Sequence, residues 1–435
     1  MPTTPTSGFS SRFLAMFALV FGGEMIFSLP YHLPRYYRPT VLDVFGLSNA
    51  DLGDAFVFYG VFAMIGYFPG GILADHFSAR RLMTISLATT AAGGVYLMSY
   101  PGFAGLAFLY AFWGVTSVFL YWGALIRATR SWGGEVSQGR GFGLLDGGRG
   151  LVAACFASLG VMLLRTGLGS DPALADEATR AGALQIVILQ YTLATLAAGI
   201  VAWVCIPDSS PDELERGRNT WPAIRTVFGM RAVWLTAVIV TCAYSGYKGI
   251  DYYSGYAYDV LGMNEADAAG FTANAGYLRL VAAVGAGLLG DRFGIARLTW
   301  ISFGALAGCW AILDLLDASP EVLAIVYTNL VITYFGVYAL RGLYFALLEQ
   351  TRVPHTVTGV AVGLISLMGY TPDIFIGPIA GRLLDNFPGV AGYQYFFLLL
   401  CGISTVGLIT AAAVSRAAAR LDVTSPSRSK LSAMK

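Results

Sequence analysis

The chain has 435 residues, of which 56% are hydrophobic and 12% are charged, and its net charge is +1. Soluble domains carry about 25% charged residues, so these values exclude a soluble protein and predict an all-α integral membrane protein. The balanced charge also gives no reason to expect a nucleic-acid partner.

The five cysteines and three histidines are not spaced as a disulfide framework or a metal site. No C-x-x-C pair occurs, and the cysteines lie in apolar runs, where they act as small core residues. The histidines lie near the ends of such runs and form no ligand cluster. We therefore expect no metal and no cofactor.

Twelve apolar runs are long enough to cross a bilayer, which takes about 20 residues. The first run lacks a small-residue cleavage site and is interpreted as a retained helix, not a signal peptide. A charged stretch with several Pro and Ser residues, Ile206–Thr226, separates the sixth run from the seventh. The sequence therefore predicts a six-helix half over 1–206, a cytoplasmic linker over 207–230 and a second six-helix half with a short basic tail over 231–435. The runs begin near Phe13, Leu52, Leu82, Phe103, Phe142, Leu184, Ala232, Ala269, Leu298, Val322, Val357 and Gln394.

The basic residues between these runs are unevenly distributed. Eighteen of the 27 Lys and Arg residues lie in the linker, the tail and the loops on the same side, whereas five lie on the opposite side. Cytoplasmic loops carry an excess of Lys and Arg. We therefore predict a multi-pass protein of the plasma (inner) membrane with both termini in the cytoplasm.

One polar motif occurs twice, after the second and the eighth apolar runs. The first copy, GILADHFSARR, covers Gly71–Arg81, and the second copy, GLLGDRFGIAR, covers Gly287–Arg297, 216 positions further on. Because both copies follow the second run of their half, the chain is interpreted as one six-helix unit used twice in the same orientation. Parallel repeats of this kind occur in transporters.

This motif resembles the loop signature of the major facilitator superfamily, Gly-x-Leu-x-Asp-Arg-x-Gly-Arg-Arg. His76 and Ser78 depart from the Arg and Gly of that signature, which implies weaker charge pairing at the first loop. The resemblance implies twelve helices around a central cavity that opens alternately to the two sides of the membrane. It also implies a gating role for the loop residues Gly71, Asp75, Arg80, Gly287, Asp291 and Arg292.

Four basic residues remain inside the predicted helices. Arg149 lies about 13 Å into the fifth run and Arg279 about 18 Å from the end of the eighth, at a rise of about 1.5 Å per residue. Lys248 lies in the outer half of the seventh run. Arg341 lies on the cytoplasmic side of the middle of the tenth run, and we predict a structural or gating role for it. An ionisable group at this depth is costly and marks a candidate functional site.

Acidic residues lie near two of these bases. Asp146 precedes Arg149 by three positions and Asp251 follows Lys248 by three, a spacing that brings helical side chains together. Either these are neutralised pairs that only stabilise helix packing, or the bases bind substrate. Arg279 has no acid three or four positions away, so we predict an unpaired guanidinium that faces Arg149 across the cavity. The Arg fork suits a carboxylate, a phosphate or a sulfonate.

Aromatic residues accompany the embedded charges. Tyr121 and Trp122 of the fourth run are predicted to line the substrate site with Arg149, Arg279 and Lys248. The pair Tyr252 and Tyr253 fits either the cavity wall or the belt of aromatics at the membrane surface. Carboxylates at membrane depth can carry a proton during transport, and the candidates are Glu24, Asp373 and Asp146.

Together these residues predict a secondary transporter for a small organic anion, with H⁺ or a counter-anion as coupling ion. The stretch YKGIDYYSGYAYDVL, Tyr247–Leu261, resembles the organic-anion and organophosphate (sugar-phosphate permease-like) branch of the superfamily. That branch also has an Arg on its first helix, where this chain offers Glu24. A proton-coupled carrier of a sugar acid, a sulfonate or another carboxylate therefore fits equally well.

Other functions fit the sequence less well. The strongest alternative is a proton-coupled efflux pump for hydrophobic or cationic compounds, which would favour an acidic, aromatic cavity. An enzyme is not expected, since no nucleophile set, paired histidines or acidic metal cluster is present. A channel has little need of a duplicated gating loop, and a receptor usually carries a further soluble domain. We expect a monomer in the lipid bilayer.

Overall fold

The computed structural model describes residues 9–133, 138–169, 172–208, 221–316, 323–344, 347 and 358–423. Within these ranges the regular secondary structure is helical, which confirms the predicted all-α class. The helices that pass through the bundle in the first half are α1 (Phe9–Met25, continued by Ser28–His32 and Leu33–Tyr36), α2 (Asn49–His76), α3 (Ala79–Leu97), α4 (Phe103–Gly114, Val115–Trp122 and Gly123–Gly133), α5 (Gln138–Leu168) and α6 (Glu177–Cys205). Those of the second half are α7 (Arg231–Gly249, Ile250–Tyr252 and Tyr253–Asp259), α8 (Glu265–Gly276 and Leu278–Phe293), α9 (Ile295–Leu315), α10 (Leu323–Leu343), α11 (Thr358–Gly369 and Pro372–Asn386) and α12 (Val390–Val423). Short helices at Arg38–Phe45, Pro172–Leu174 and Trp221–Phe228 lie between them.

Most of these helices suit a bilayer. In the described ranges nine are long and apolar enough to span it, or ten when the bent pair in α1 counts as one span. With α3 and α7 they form the predicted twelve-helix arrangement. Large apolar side chains on the outer surface, such as Leu193 and Ile409, are 56% and 65% exposed, as expected for groups that face lipid.

Local signals set several helix ends. Ser48 and Asp51 form a capping box at the start of α2, in which each side chain bonds the backbone N–H of the other at 3.0 Å. Asn264 caps α8 by accepting the N–H of Asp267 at 2.8 Å. These contacts satisfy backbone donors that a helix leaves free in its first turn.

Each half has its own apolar core. The first half packs around fully buried residues such as Trp113 and Tyr191, and the second around Trp310 and Phe397. Between the halves, α2 packs along α11 and α5 along α8. Residues 209–220 of the predicted linker lie outside the described part of the chain.

The two halves meet most tightly at one end of the bundle, here called the sealed end, which carries Asn49, Asp54 and Arg382. There the backbone of Gly53 lies so close to that of Gly377 that no side chain would fit between them. Arg382 also forms a forked pair with Asp54 at 2.8 and 3.0 Å. Small residues permit this kind of close helix approach in a membrane.

The opposite end, here called the linker end, carries His76, Arg80, Asp208 and Arg292. Between described residues, the hydrogen bonds and ion pairs that join the halves extend from Asp146, near mid-bundle, to the sealed end. On the linker side of Asp146, none joins described residues of the two halves. Among the described residues, the halves are therefore joined at the sealed end and have no hydrogen bond or ion pair between them at the linker end.

Candidate functional site

A central cavity lies between the halves. The space along its wall measures about 650 Å³, a volume that includes the part open to the solvent. Its wall combines charged and aromatic side chains, which are Glu24, His32, Arg149, Lys248, Arg341, Asp373, Phe27, Tyr31, Tyr59, Tyr67, Trp122, Tyr244, Tyr247 and Tyr370, with Ala63 and Val118. Such a lining can bind an organic ligand that is both charged and partly apolar.

Two π-helical segments bring residues to this wall. In α1 the helix bends by 41° at Met25–Ser28 and continues as the π-segment Ser28–His32, which places Tyr31 and His32 at the cavity. In α4 the π-segment Val115–Trp122 places Trp122 there. π-Segments inside α-helices are frequent at functional sites.

The first charge network surrounds Glu24 and joins both halves. Its carboxylate lies 2.8 Å from Arg149 Nε, 3.2 Å from Arg279 Nη1 and 3.2 Å from His32 Nε2. Arg279 also binds Asp146, with 2.8 Å between Nη2 and Oδ1. The Arg279 residue is only 3% exposed, so this arginine of the second half is held between two carboxylates of the first half.

This network corrects the predicted pairing. Arg149 binds Glu24 and not Asp146, although Asp146 lies three positions away on the same helix. The expectation of an unpaired Arg279 is wrong, because its acid partners come from α1 and α5. Arg149 lines the cavity, whereas Arg279 lies behind its wall.

The second charge network lies in the same cavity and surrounds Lys248. Its Nζ is 2.8 Å from Asp251, which confirms the predicted pair, and 3.4 Å from Asp373. Asp251 also accepts a hydrogen bond from Arg35 Nε at 2.5 Å across the two halves. Arg35 and Asp251 are separated by 216 positions, the offset of the repeated motif, so they occupy equivalent positions in the two halves.

Aromatic side chains support this network. Tyr244 donates to both oxygens of Asp373 at 3.2 Å, and Tyr247 accepts from Arg35 Nη1 at 2.8 Å. The Lys248 ammonium lies 4.1 Å from the ring centre of Tyr31. Cation–π contacts of this kind stabilise a cation that has lost its water.

Arg341 of α10 differs from the other embedded bases. It lines the cavity and lies over the ring of Tyr247, 4.0 Å from the ring centre. No carboxylate of a described residue lies within ion-pair distance of it. Among the described residues, the central charges are therefore five basic groups, Arg35, Arg149, Lys248, Arg279 and Arg341, against four acidic groups, Glu24, Asp146, Asp251 and Asp373.

Two of the aromatic predictions need correction. Trp122 lines the cavity, but the neighbouring Tyr121 is fully buried and its hydroxyl packs against Gly22 inside the first half. Tyr252 and Tyr253 are also buried, in the core of the second half, and belong neither to the wall nor to a surface belt.

The predicted gating residues lie at the linker end. Arg80 pairs with Asp208 at 2.6 Å and lies over the ring of Trp203, so its described contacts stay within the first half. Asp75 is exposed, and Arg292 lies over the ring of Phe293. Open space surrounds Gly71 and Gly287. The side chain of Asp291 lies outside the described part of the structure.

Sequence reasoning missed several cavity residues. The sequence places His32 near the end of an apolar run and Arg35 in a loop, because the π-segment that extends α1 past Met25 has no simple periodic signal. In the structure His32 lines the cavity, and Arg35 joins the Lys248 network through Asp251. Arg341 was not assigned to the substrate site. In the described residues no three His, Cys, Asp or Glu side chains are grouped so that they would hold a metal ion.

Comparison with known proteins shows the family to which this chain belongs. The model of the Major Facilitator Superfamily matches residues 9–378. In Escherichia coli (strain K12), "Inner membrane protein YqcE" is 25% identical over 407 residues, with 92% of this chain and 93% of that protein covered. "Inner membrane protein YihN" of the same organism is 27% identical over 407 residues, with 91% and 93% covered.

Solved structures show the same fold. The nucleoside transporter NupG matches with a TM-score of 0.69 at 12% identity, over 93% of this chain and 99% of that chain. A D-xylose-proton symporter matches with a TM-score of 0.69 at 16% identity, over 92% and 97%. At such identities the likeness extends to the fold alone.

Proposed function

Since this chain belongs to the major facilitator superfamily and is a membrane transporter, not an enzyme, we propose that it carries a small organic anion by alternating access. One observation carries the proposal, namely that Arg341 lines the cavity without an acidic partner among the described residues. The other central bases each contact a carboxylate. Arg341 is partly exposed where it lines the cavity, so its guanidinium is accessible to an anionic substrate, which would supply the missing partner.

The charge balance favours a substrate with one negative charge. With His32 neutral, the five central bases exceed the four acids by one. A monoanion restores neutrality, whereas a second negative charge would lie uncompensated in a medium of low dielectric. While His32 is neutral, the site therefore favours a carboxylate, a sugar acid or a sulfonate over a sugar phosphate.

The aromatic wall supports a substrate with several hydroxyl groups. Six of the wall residues are tyrosines, namely Tyr31, Tyr59, Tyr67, Tyr244, Tyr247 and Tyr370. Tyrosine offers an apolar ring to the face of a sugar and a hydroxyl to its polar edge. A sugar acid would use both features, with its carboxylate at Arg341.

The sidedness of transport follows from two further proposals. The relatives are named inner membrane proteins, and we place this chain in the same membrane with both termini in the cytoplasm. The linker end then faces the cytoplasm, and the separated halves there correspond to an inward-facing state. The coupling ion is H⁺ or a counter-anion, and the carrier acts as a monomer.

A cation efflux pump is the alternative. It is favoured by the eight aromatic residues of the wall together with the cavity carboxylates Glu24 and Asp373. Each of these carboxylates contacts a base, however, so an incoming cation would compete with Arg149 or Lys248.

The test is a thermal-shift measurement on purified protein in detergent with D-gluconate, D-glucose 6-phosphate, neutral D-glucose and tetraphenylphosphonium. We expect D-gluconate to raise the unfolding temperature of the wild type. Arg341→Gln should weaken this binding by about tenfold or more, because a charge-assisted contact is lost. The matched control is Arg416→Gln, which changes an exposed arginine on α12.

The outcomes separate the candidates. Stabilisation by D-glucose 6-phosphate alone would keep an anion carrier but contradict the single-charge argument. Stabilisation by tetraphenylphosphonium, with none by either anion, would support the efflux pump and refute the proposal.

A further inference from the structure

His32 is the cavity residue whose chemistry the anion site leaves unused. It lies in the π-segment of α1, lines the cavity and is 2% exposed. Its Nε2 lies 3.2 Å from Glu24 Oε1, so in the neutral ring the hydrogen belongs on Nε2, where it donates to the carboxylate. Nδ1 then carries a free lone pair, and it has no hydrogen-bond partner among the described residues.

Charged and titratable groups surround this imidazole from several helices. On α1 these are Glu24, Arg35 and Tyr36, whose ring centre lies 5.8 Å away. Arg279 of α8 lies close enough to act on it electrostatically, and Arg149 of α5 shares its Glu24 partner. Tyr191 of α6 contacts it edge-on, with 6.4 Å between ring centres.

We propose that His32 is the binding site of a co-transported proton. The inference rests on the proposed anion transport and adds a second substrate to it. A proton from water binds the lone pair of Nδ1 and converts the neutral ring into an imidazolium. The reverse step releases that proton to water on the other side of the membrane.

The ion pairs of the cavity explain why this ring, and not a carboxylate, binds and releases the proton. Glu24 contacts two guanidinium groups, Asp146 contacts Arg279 and Asp373 contacts Lys248. Protonating Glu24 would leave the buried Arg149 without its carboxylate. Protonating Asp146 or Asp373 would leave Arg279 or Lys248 with one carboxylate in place of two. Each of these changes weakens the pairing of a buried base, which is costly. Protonating Nδ1 breaks no described contact, and imidazole is the side chain that ordinarily changes charge between about pH 5 and 8.

The new charge also explains how proton and anion are coupled. Protonation raises the positive excess of the central groups from one to two, which strengthens the attraction for an anion. The imidazolium also repels Arg279 and competes with it for Glu24, and this weakens one link between the halves. Proton and anion therefore bind together, and the carrier acts as a symporter.

The transport test uses proteoliposomes and labelled D-gluconate. Electroneutral symport of one proton with each monoanion lets a gradient of one pH unit support about tenfold accumulation. We expect the wild type to accumulate D-gluconate when a pH gradient is applied. His32→Gln should lower the ratio of this accumulation to the rate at which labelled and unlabelled D-gluconate exchange without a gradient by about tenfold. His76→Gln, on the exposed surface of the linker end, is the matched control and should leave the ratio unchanged. Full gradient-driven accumulation by His32→Gln would overturn the inference.

A second measurement does not depend on the substrate. The chain has three histidines, so the NMR signal of ¹³C-labelled His32 is the one missing from His32→Gln. We expect the chemical shift of this signal to change with pH and its midpoint to rise when D-gluconate is present. A signal that does not change over the pH range in which the protein stays folded overturns the inference. If His32 titrates but neither D-gluconate nor another anion binds, the proposed function fails and not the proton site.

Discussion

The two charge networks of the cavity link the halves in different ways. In the Glu24 network, Arg279 of the second half binds two carboxylates of the first, Glu24 and Asp146. In the Lys248 network, Arg35 of the first half binds one carboxylate of the second, Asp251, which also has Lys248 beside it. Loss of Arg279 therefore leaves Asp146 without a base, whereas loss of Arg35 leaves Asp251 still paired with Lys248. We therefore expect the first network to be the stronger link between the halves and the second to break more easily.

The largest effect is expected from Arg279→Gln. The substitution leaves Asp146 without its base and removes one of the bases that hold Glu24, at a cost of about 3 kcal/mol of stability. Thermal or denaturant unfolding in detergent measures this loss. The double variant Arg279→Gln/Asp146→Asn should recover part of it, because one stranded carboxylate is then neutral. Equal losses for the single and double variants would show that the pair contributes little.

A smaller effect is expected from Arg35→Gln, because Asp251 keeps Lys248. The lost charge-assisted hydrogen bond is equivalent to about 1.5–3 kcal/mol, and it favours separation of the halves at the sealed end. Distances between spin labels at Leu47 and Met263 should show a population with a wider separation, about tenfold larger than in the wild type.

The control for this experiment lies at the same end. Arg165 and Asp267 also join the halves, but their side chains are 58% and 52% exposed. Arg165→Gln should therefore leave the distance distribution almost unchanged. A comparable widening in both variants would show that Arg35 has no special role.

The smallest effect is expected outside both networks, from Arg80→Gln at the linker end. The pair Arg80–Asp208 is partly exposed, so its loss should cost less than about 1 kcal/mol. Added salt should reduce even this difference, because it screens exposed charges. Unfolding temperatures at low and high salt measure the effect. A large loss that salt does not change would contradict the distinction between surface and cavity pairs.

The sequence predicted the helices and the repeat because both depend on local composition. Runs of apolar residues are visible without knowledge of their neighbours, and the copies of the motif at Gly71 and Gly287 can be aligned directly. The pair Lys248–Asp251 was predictable for the same reason, since helical spacing alone brings its members together.

Partners from different helices were not predictable in this way. Arg279 and Glu24 are 255 positions apart, and nothing in the sequence near Arg279 indicates its acids. The π-segment of α4 changes which side chains face inward, so Trp122 reaches the cavity and Tyr121 does not. The π-segment of α1 likewise brings His32 to the cavity, although the sequence shows His32 only as a residue near the end of an apolar run.

The contact between Arg35 and Asp251 has a consequence for symmetry. The two residues occupy equivalent positions of the halves and touch each other, so they lie near the axis that relates one half to the other. In a dimer of identical subunits a residue on such an axis meets its own copy, and two arginines or two aspartates would repel each other there. A single chain with two unequal halves escapes this restriction and can place opposite charges across its own axis.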